Sequence, residues 1–213
     1  MDKTDRERQP FDLTSDYLAN PLMSLVKLAR YKFPAKMLSA SDCVVDLACG
    51  TGMSSYFYAH SCKAVHGIDI DDRRAEWAVY EAACDNLTFH RGDILKLTPG
   101  DMPETLSAIT MVDAIEHFSL EDGEAVLANC AALLRQSQVD GARMMIIGTP
   151  SVHSAPYRAS HNKDHHLHEY DPAELRRVVE RHFSRTLQFS MNDEVVHTGF
   201  DKLAWFFYVI AIL

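Results

Sequence analysis

From residue 41 onward, short apolar runs alternate with longer amphipathic ones. Cys43–Ala48, Ala64–Ile68, Leu87–His90, Leu106–Val112 and Met144–Ile147 are four to seven residues long and rich in β-branched or large apolar side chains. That is the pattern of strands covered on both faces. Between and after them lie helical patterns at Met53–His60, Glu76–Ala83, Leu120–Leu134 and Pro172–Val179, the last with Pro172 in its first turn. Strand–helix alternation predicts a parallel sheet with helices on both faces. The end of the chain differs. Thr186–Met191 and Leu203–Leu213 are two strand patterns with no helix between them, joined by a polar linker, Asn192–Asp201, that contains Gly199. They predict an antiparallel hairpin. The expected fold is a doubly wound α/β sheet of seven strands, parallel except for that C-terminal hairpin strand. Before the sheet, residues 15–38 carry helical patterns that Pro21 and Pro34 are expected to break into pieces. One domain is expected over 1–213, with 1–40 as a helical lid segment and 41–213 as the core.

Composition narrows the function classes. The chain has 213 residues, 47% of them hydrophobic and 24% charged. That suits one soluble domain with a full core. A net charge of −9 argues against a protein that tracks a long phosphate backbone, which needs clustered Lys and Arg. It leaves room for a small anionic substrate. The cysteines Cys43, Cys49, Cys62, Cys84 and Cys130 are odd in number and form no CxxC pair. They read as reduced, buried thiols of a cytoplasmic protein. The charged opening MDKTDRERQP has no signal-peptide pattern. The apolar run Trp205–Leu213 spans nine residues, where a membrane helix needs about 20. It reads as a buried strand, and no membrane partner is expected.

The chemistry concentrates at the strand ends. Asp46-Leu-Ala48-Cys-Gly50-Thr-Gly52 joins a strand to a helix. Its small residues let a ligand approach the backbone closely. Asp69 ends the next strand, where an acid can accept hydrogen bonds from ribose hydroxyls. Asp93 ends the third, where a carboxylate can meet an adenine amino group. Any one of these is an ordinary turn acid. Three at consecutive strand ends form a nucleoside-binding pattern.

Together with Asp113-Ala-Ile-Glu-His-Phe, these segments resemble the motif series of class I S-adenosylmethionine-dependent methyltransferases, from about Ser41 to the C-terminus. The terminal hairpin resembles that Rossmann-like family too. The resemblance implies S-adenosylmethionine as cofactor. It implies Asp46, Ala48, Gly50 and Gly52 around the methionine part, Asp69 with Ile70 at the ribose, Asp93 with Ile94 at the adenine, and Asp113 beside the cofactor. Ala48 stands where glycine is common. A nicotinamide dehydrogenase, the rival on a related fold, calls for G-x-G-x-x-G, whereas this loop reads A-x-G-x-G-M.

On the acceptor side, Asp113, Glu116 and His117 follow the fourth strand at i, i+3 and i+4 and share a face if the chain turns helical. A loop after strand five carries His161, His165, His166 and His168. Two readings stand. In the first, His117 or His166 is a general base in a metal-free pocket, oriented by Glu116. In the second, Asp113, Glu116, His117 and His166 ligate Mg²⁺, Mn²⁺ or Fe²⁺. The pattern is similar to small-RNA 3′-terminal 2′-O-methyltransferases and to ubiquinone-pathway O-methyltransferases. Aligning the helix start Asp171-Pro-Ala-Glu-Leu with theirs places His166 nearest their histidine. The metal-free pocket is the expectation. His66 and His90 read as core or edge residues, His182 as surface, and His197 as part of a hydrogen-bonded turn.

The segments Arg30–Leu38 and Met191–Phe200 look like parts of bacterial methyltransferases of surface-polysaccharide and small-molecule pathways. That similarity implies biosynthetic O-methylation of a small-molecule hydroxyl or acid group. RNA 2′-O-methylation and a non-catalytic cofactor-binding role are the alternatives. Nucleic acid is not favoured as a partner. A homodimer stays open.

Overall fold

The computed structural model describes residues 13–157 and 165–213. His161 lies outside them. The described strands form one sheet in the order β3-β2-β1-β4-β5-β8-β6-β7. They are β1 (Cys43–Leu47), β2 (Ala64–Asp69), β3 (Leu87–Arg91), β4 (Ala108–Val112), β5 (Met144–Pro150), β6 (Arg185–Asn192), β7 (Val195–His197) and β8 (Phe206–Ile212). The first five run parallel, and β8 pairs antiparallel with both β5 and β6. The described helices are α1 (Leu13–Ala19), α2 (Pro21–Met37), α3 (Met53–Ala59), α4 (Arg74–Glu81), α5 (Leu120–Gln136) and α6 (Pro172–Val179).

Strand periodicity sorts the core into two layers. In β8, Phe207, Val209 and Ala211 pack with α5 and α6, while Phe206, Tyr208 and Ile210 pack with α2, α3 and α4. Buried on both faces, β8 is apolar along its whole length, as the sequence pattern requires. No described helix is long and apolar enough to cross a membrane.

Three expectations need correction. The sheet has eight strands, not seven, because Val195–His197 folds back on Ser190–Asn192. A three-residue strand inside a polar linker carries too short an alternation to register in the sequence. Second, β5 extends beyond Ile147 to Pro150. Its pairing with Phe206–Tyr208 holds Gly148, Thr149 and Pro150 in the ladder. Third, Pro34 does not break α2. Proline lacks the N–H that would bond the Arg30 carbonyl one turn back. The Tyr208 hydroxyl donates to that carbonyl instead, at 2.9 Å.

The start of α2 is capped by Asn20, whose Oδ1 accepts from Met23 N at 3.1 Å. Pro21 sits in its first turn, so this proline begins a helix and separates α1 from α2. Phe33 then packs against Phe189 and Tyr208, with ring centroids 4.9 and 4.6 Å away. The helix thereby lies over the carboxyl ends of the strands.

Candidate active site

The strand order reverses between β1 and β4. Chains leaving their carboxyl ends diverge and open a crevice, where ligands bind in doubly wound sheets. A cavity of about 230 Å³ occupies that place. It is lined by Ala48–Thr51, Met53 and Ser54 after β1, by Val112 and Asp113 at the end of β4, and by Lys27, Arg30 and Tyr31 of α2.

The loop after β1 is shaped by backbone conformation. Ala48, Gly50 and Gly52 all have positive φ, at 55°, 56° and 91°. Gly52 is required. A Cβ there would lie 2.5 Å from Phe89 Cζ, and φ near 91° disfavours any side chain. Asp69 holds the loop from the neighbouring strand, accepting from Gly50 N at 2.8 Å and from Asp71 N at 3.0 Å. Trp77 Nε1 donates to the Gly50 carbonyl at 2.9 Å. Asp69 therefore builds the loop from the end of β2.

Asp46 is placed differently from the expectation. It is 1% exposed and does not line the cavity. It accepts from Ser54 Oγ at 2.6 Å, Ser55 Oγ at 2.7 Å and Thr110 Oγ1 at 2.7 Å, tying β1 to α3 and β4 beneath the loop. Burial pushes its carboxyl up to about 6, against the pull of those hydroxyl donors. It supports the loop from below. Just after β3, Asp93 accepts from Leu95 N at 3.1 Å and pairs with Lys96 at 2.8 Å. The Ile94 side chain is buried in the core, so only its backbone is available to a ligand. Ile70 is 60% exposed beside Asp69.

At the end of β4, Asp113 has φ 54° and pairs with Arg30, Nη1 to Oδ1 at 2.8 Å. The Arg30 guanidinium also lies 4.4 Å from the Phe206 ring centroid. Its Nε is buried with no hydrogen-bond partner. A buried, unsatisfied guanidinium nitrogen beside a carboxylate, in one small cavity, suits a ligand with both an anionic and a cationic group. The α-amino acid end of S-adenosylmethionine is such a group, so the residues present fit that cofactor. Lys27, Arg30 and Tyr31 were not legible as site residues, because charges on an amphipathic helix read as its solvent face.

A second constellation lies just beyond. The 3₁₀ turn Ile115–His117 follows β4. Glu116, His117 and His166 bring one ligand atom each to within 4.8 Å of one another. Asp113, held by Arg30, stands outside that trio, contrary to the four-ligand expectation. Glu116 is 1% exposed and accepts from Thr149 Oγ1 at 2.9 Å. Burial, and then the neighbouring Asp113 charge, push its carboxyl up to about 8. His165–His168 strap onto the turn: Leu167 N and His168 N donate to the Glu116 carbonyl at 2.9 and 3.2 Å. His117 Nδ1 donates to the His165 carbonyl at 3.0 Å. His166 Nδ1 and Glu169 Oε1 are 2.8 Å apart. The rings of His117 and His166 meet edge to face with centroids 5.1 Å apart. Of the other described histidines in the loop, His168 turns to Glu174 at 3.1 Å. Thr149 and Glu169 carried no sequence signal, since each gains its role only through a partner distant in sequence or in a loop turn.

His66 is half-buried and bonded to Thr88 Oγ1 at 2.9 Å. His197 belongs to β7, not to a turn, and contacts Asn192. All five cysteines are free thiols, and all but Cys84 are buried.

Residues 44–137 match the family model described as a methyltransferase domain. No curated protein sequence matches the chain. Among solved structures, the methyltransferase domain of bacterial CtHen1 aligns with a TM-score of 0.68 at 13% identity, covering 88% of this chain and all of that one. DhpI in complex with SAH aligns at 0.62 and 18% identity, covering 92% and 89%. The N-methyltransferase NodS from Bradyrhizobium japonicum, in complex with S-adenosylhomocysteine, aligns at 0.59 and 12% identity, covering 98% and 94%. At these identities the likeness is one of fold.

Proposed function

We propose that the chain is a class I S-adenosylmethionine-dependent methyltransferase, and that it methylates an oxygen, a hydroxyl or acid group, of a small molecule. The observation that carries this reading is the convergence of Glu116, His117 and His166 beside the cavity that Asp113 closes.

The cofactor, when bound, supplies an electrophilic methyl group on a sulfonium. The chain's own residues have two tasks. Arg30 and Asp113 hold the amino acid end, while the loop 48–52 and Asp69 hold the neighbouring part. This fixes the direction of transfer and brings the acceptor to attack distance. A hydroxyl acceptor must also lose a proton. An imidazole of His117 or His166 takes it, and buried Glu116 orients the pair. An acid acceptor arrives deprotonated and needs only positioning.

A second reading is favoured by the same trio. One carboxylate and two imidazoles suit Mg²⁺, Mn²⁺ or Fe²⁺. Such an ion would lower the acceptor hydroxyl's pKa. Combined with the likeness to the CtHen1 methyltransferase domain, this keeps terminal 2′-O-methylation of RNA as the alternative. The net charge of −9 weighs against it.

The test is transfer of a labelled methyl group to a panel of sugars, phenols, carboxylic acids and amines, with a short RNA alongside, before and after chelation. Transfer to a hydroxyl that is lost in His166→Ala, or transfer to a carboxylic acid that survives it, with S-adenosylhomocysteine affinity retained in either case, is the expected result. Transfer only to amines overturns the oxygen reading. Salt-sensitive, chelator-sensitive transfer to RNA moves the assignment to the alternative. No binding of S-adenosylhomocysteine sinks both.

A further inference from the structure

The two histidines of the trio do not choose their tautomers freely. A backbone carbonyl carries no proton, so the 3.0 Å contact between His117 Nδ1 and the His165 carbonyl requires the proton on Nδ1. In neutral His117 the lone pair is then on Nε2. An ionised carboxylate likewise only accepts. The 2.8 Å contact from His166 Nδ1 to Glu169 Oε1 therefore puts the same constraint on His166. Both groups are largely shielded, with side-chain exposures of 10% for His166 and 18% for Glu169, so the contact is weakly screened by solvent.

We infer that Glu169 is a positioning residue: through Nδ1 it locks His166, a member of the trio, in the tautomer and ring orientation that put the imidazole lone pair on Nε2. The inference rests on the proposed function of the trio and names the residue that prepares it. Glu169 itself contacts no reacting atom. Its geometry has a local origin. Leu167 and His168 are anchored to the Glu116 carbonyl, and Tyr170 is buried with Asp171 capping α6 through Glu174 N at 2.8 Å. Glu169 is thus held between two fixed points, three residues after its partner. The neighbouring pair joins His168 of the same strap to Glu174 of α6 outside the trio, so a carboxylate partner alone does not make a histidine part of the site. A carboxylate that fixes a functional imidazole in this way raises its basicity as well as its orientation, and its loss typically costs about 10–100-fold in activity or metal affinity.

The experiment needs no acceptor. Uniformly ¹⁵N-labelled full-length protein is examined by long-range ¹H–¹⁵N correlation at a pH above the imidazole titration range. His166→Asn identifies the His166 signals. The expected spectrum shows the Nδ1–H tautomer for His166 in the parent protein. In Glu169→Gln, whose amide can donate as well as accept, the Nε2–H form gains population, and Glu169→Ala shows the same change. The thermal midpoint stays close to that of the parent. With an acceptor from the panel above, Glu169→Gln lowers kcat about 10–100-fold and leaves KM and S-adenosylhomocysteine affinity within about twofold. An Nε2–H tautomer in the parent, or an unchanged tautomer and kcat in Glu169→Gln, overturns the role of Glu169. Full turnover in His166→Ala instead removes the reading on which it rests, and the parent spectrum tells the two failures apart.

Discussion

Arg30 Nη1 lies 2.8 Å from Asp113 Oδ1, joining residues 83 positions apart. One belongs to the helix over the sheet edge and the other ends β4. The contact makes α2 a wall of the cavity at the β1–β4 crevice. It is also the point where an ion pair, a cation–π contact and an unsatisfied buried nitrogen meet.

Arg30→Met is expected to keep the packing volume while removing the charge. Asp113 then loses its partner, at a cost of roughly 1.5–3 kcal/mol in stability. S-adenosylhomocysteine affinity falls more than tenfold, whereas methylthioadenosine, which lacks the amino acid carboxylate, binds Arg30→Met and parent alike. Calorimetric titration with both ligands checks this. Equal losses for the two ligands would mean that Arg30 acts only on the fold.

Gly52→Ala strains the loop twice, by its positive φ and by a Cβ 2.5 Å from Phe89. A destabilisation of about 3 kcal/mol is expected, together with weakened cofactor binding. Gly141→Ala is the control. It also has positive φ but meets nothing within 4 Å, so it carries the backbone cost alone, about 1–2 kcal/mol. Denaturant midpoints of the two variants separate the steric part from the conformational part.

Folding raises the Asp46 carboxyl from 3.8 to about 6, so the folded state holds that proton more tightly than the unfolded chain. The stabilisation from this group is fully present below pH 3.8 and is lost as pH rises through about 6. Measured against Asp46→Asn, the parent should lose on the order of 3 kcal/mol across that window. A difference that stays flat with pH would place the carboxyl at its ordinary value.

Glu116 bears on the metal question. With its carboxyl pushed up to about 8, a cation that ligates it must displace a proton. Mn²⁺ affinity should then rise with pH, by up to about tenfold per unit below that value, and level off above it. Glu116→Gln removes this dependence and most of the binding. Mn²⁺ binding that is equally tight in Glu116→Gln would show that the trio is not the cation's site.

Much of the fold was legible because its signals are local. Five parallel strands at 43–48, 64–68, 87–90, 106–112 and 144–147 are short apolar runs, and burial on both faces leaves little choice of residue. The loop 46–52 was legible for a similar reason, since backbone crowding restricts what can stand at Gly50 and Gly52. Errors came where partners distant in sequence override the local preference. Pro34 reads as a helix breaker until Tyr208 supplies the missing donor. Val195–His197 reads as linker until β6 pairs with it.

The sequence by itself determined the sheet, the place of the crevice and the residue types around it, because strand periodicity and turn chemistry act over a few neighbouring residues. It also brought Glu116, His117 and His166 forward as candidates. Only the tertiary structure decided how they are used. It sank Asp46 beneath the loop, turned Asp113 toward Arg30, and set Glu169 on His166. Each of these choices is a hydrogen bond or ion pair of about 2.6–2.8 Å. Such contacts depend on angle and distance between groups that the folded chain brings together, and a pattern along the chain carries neither.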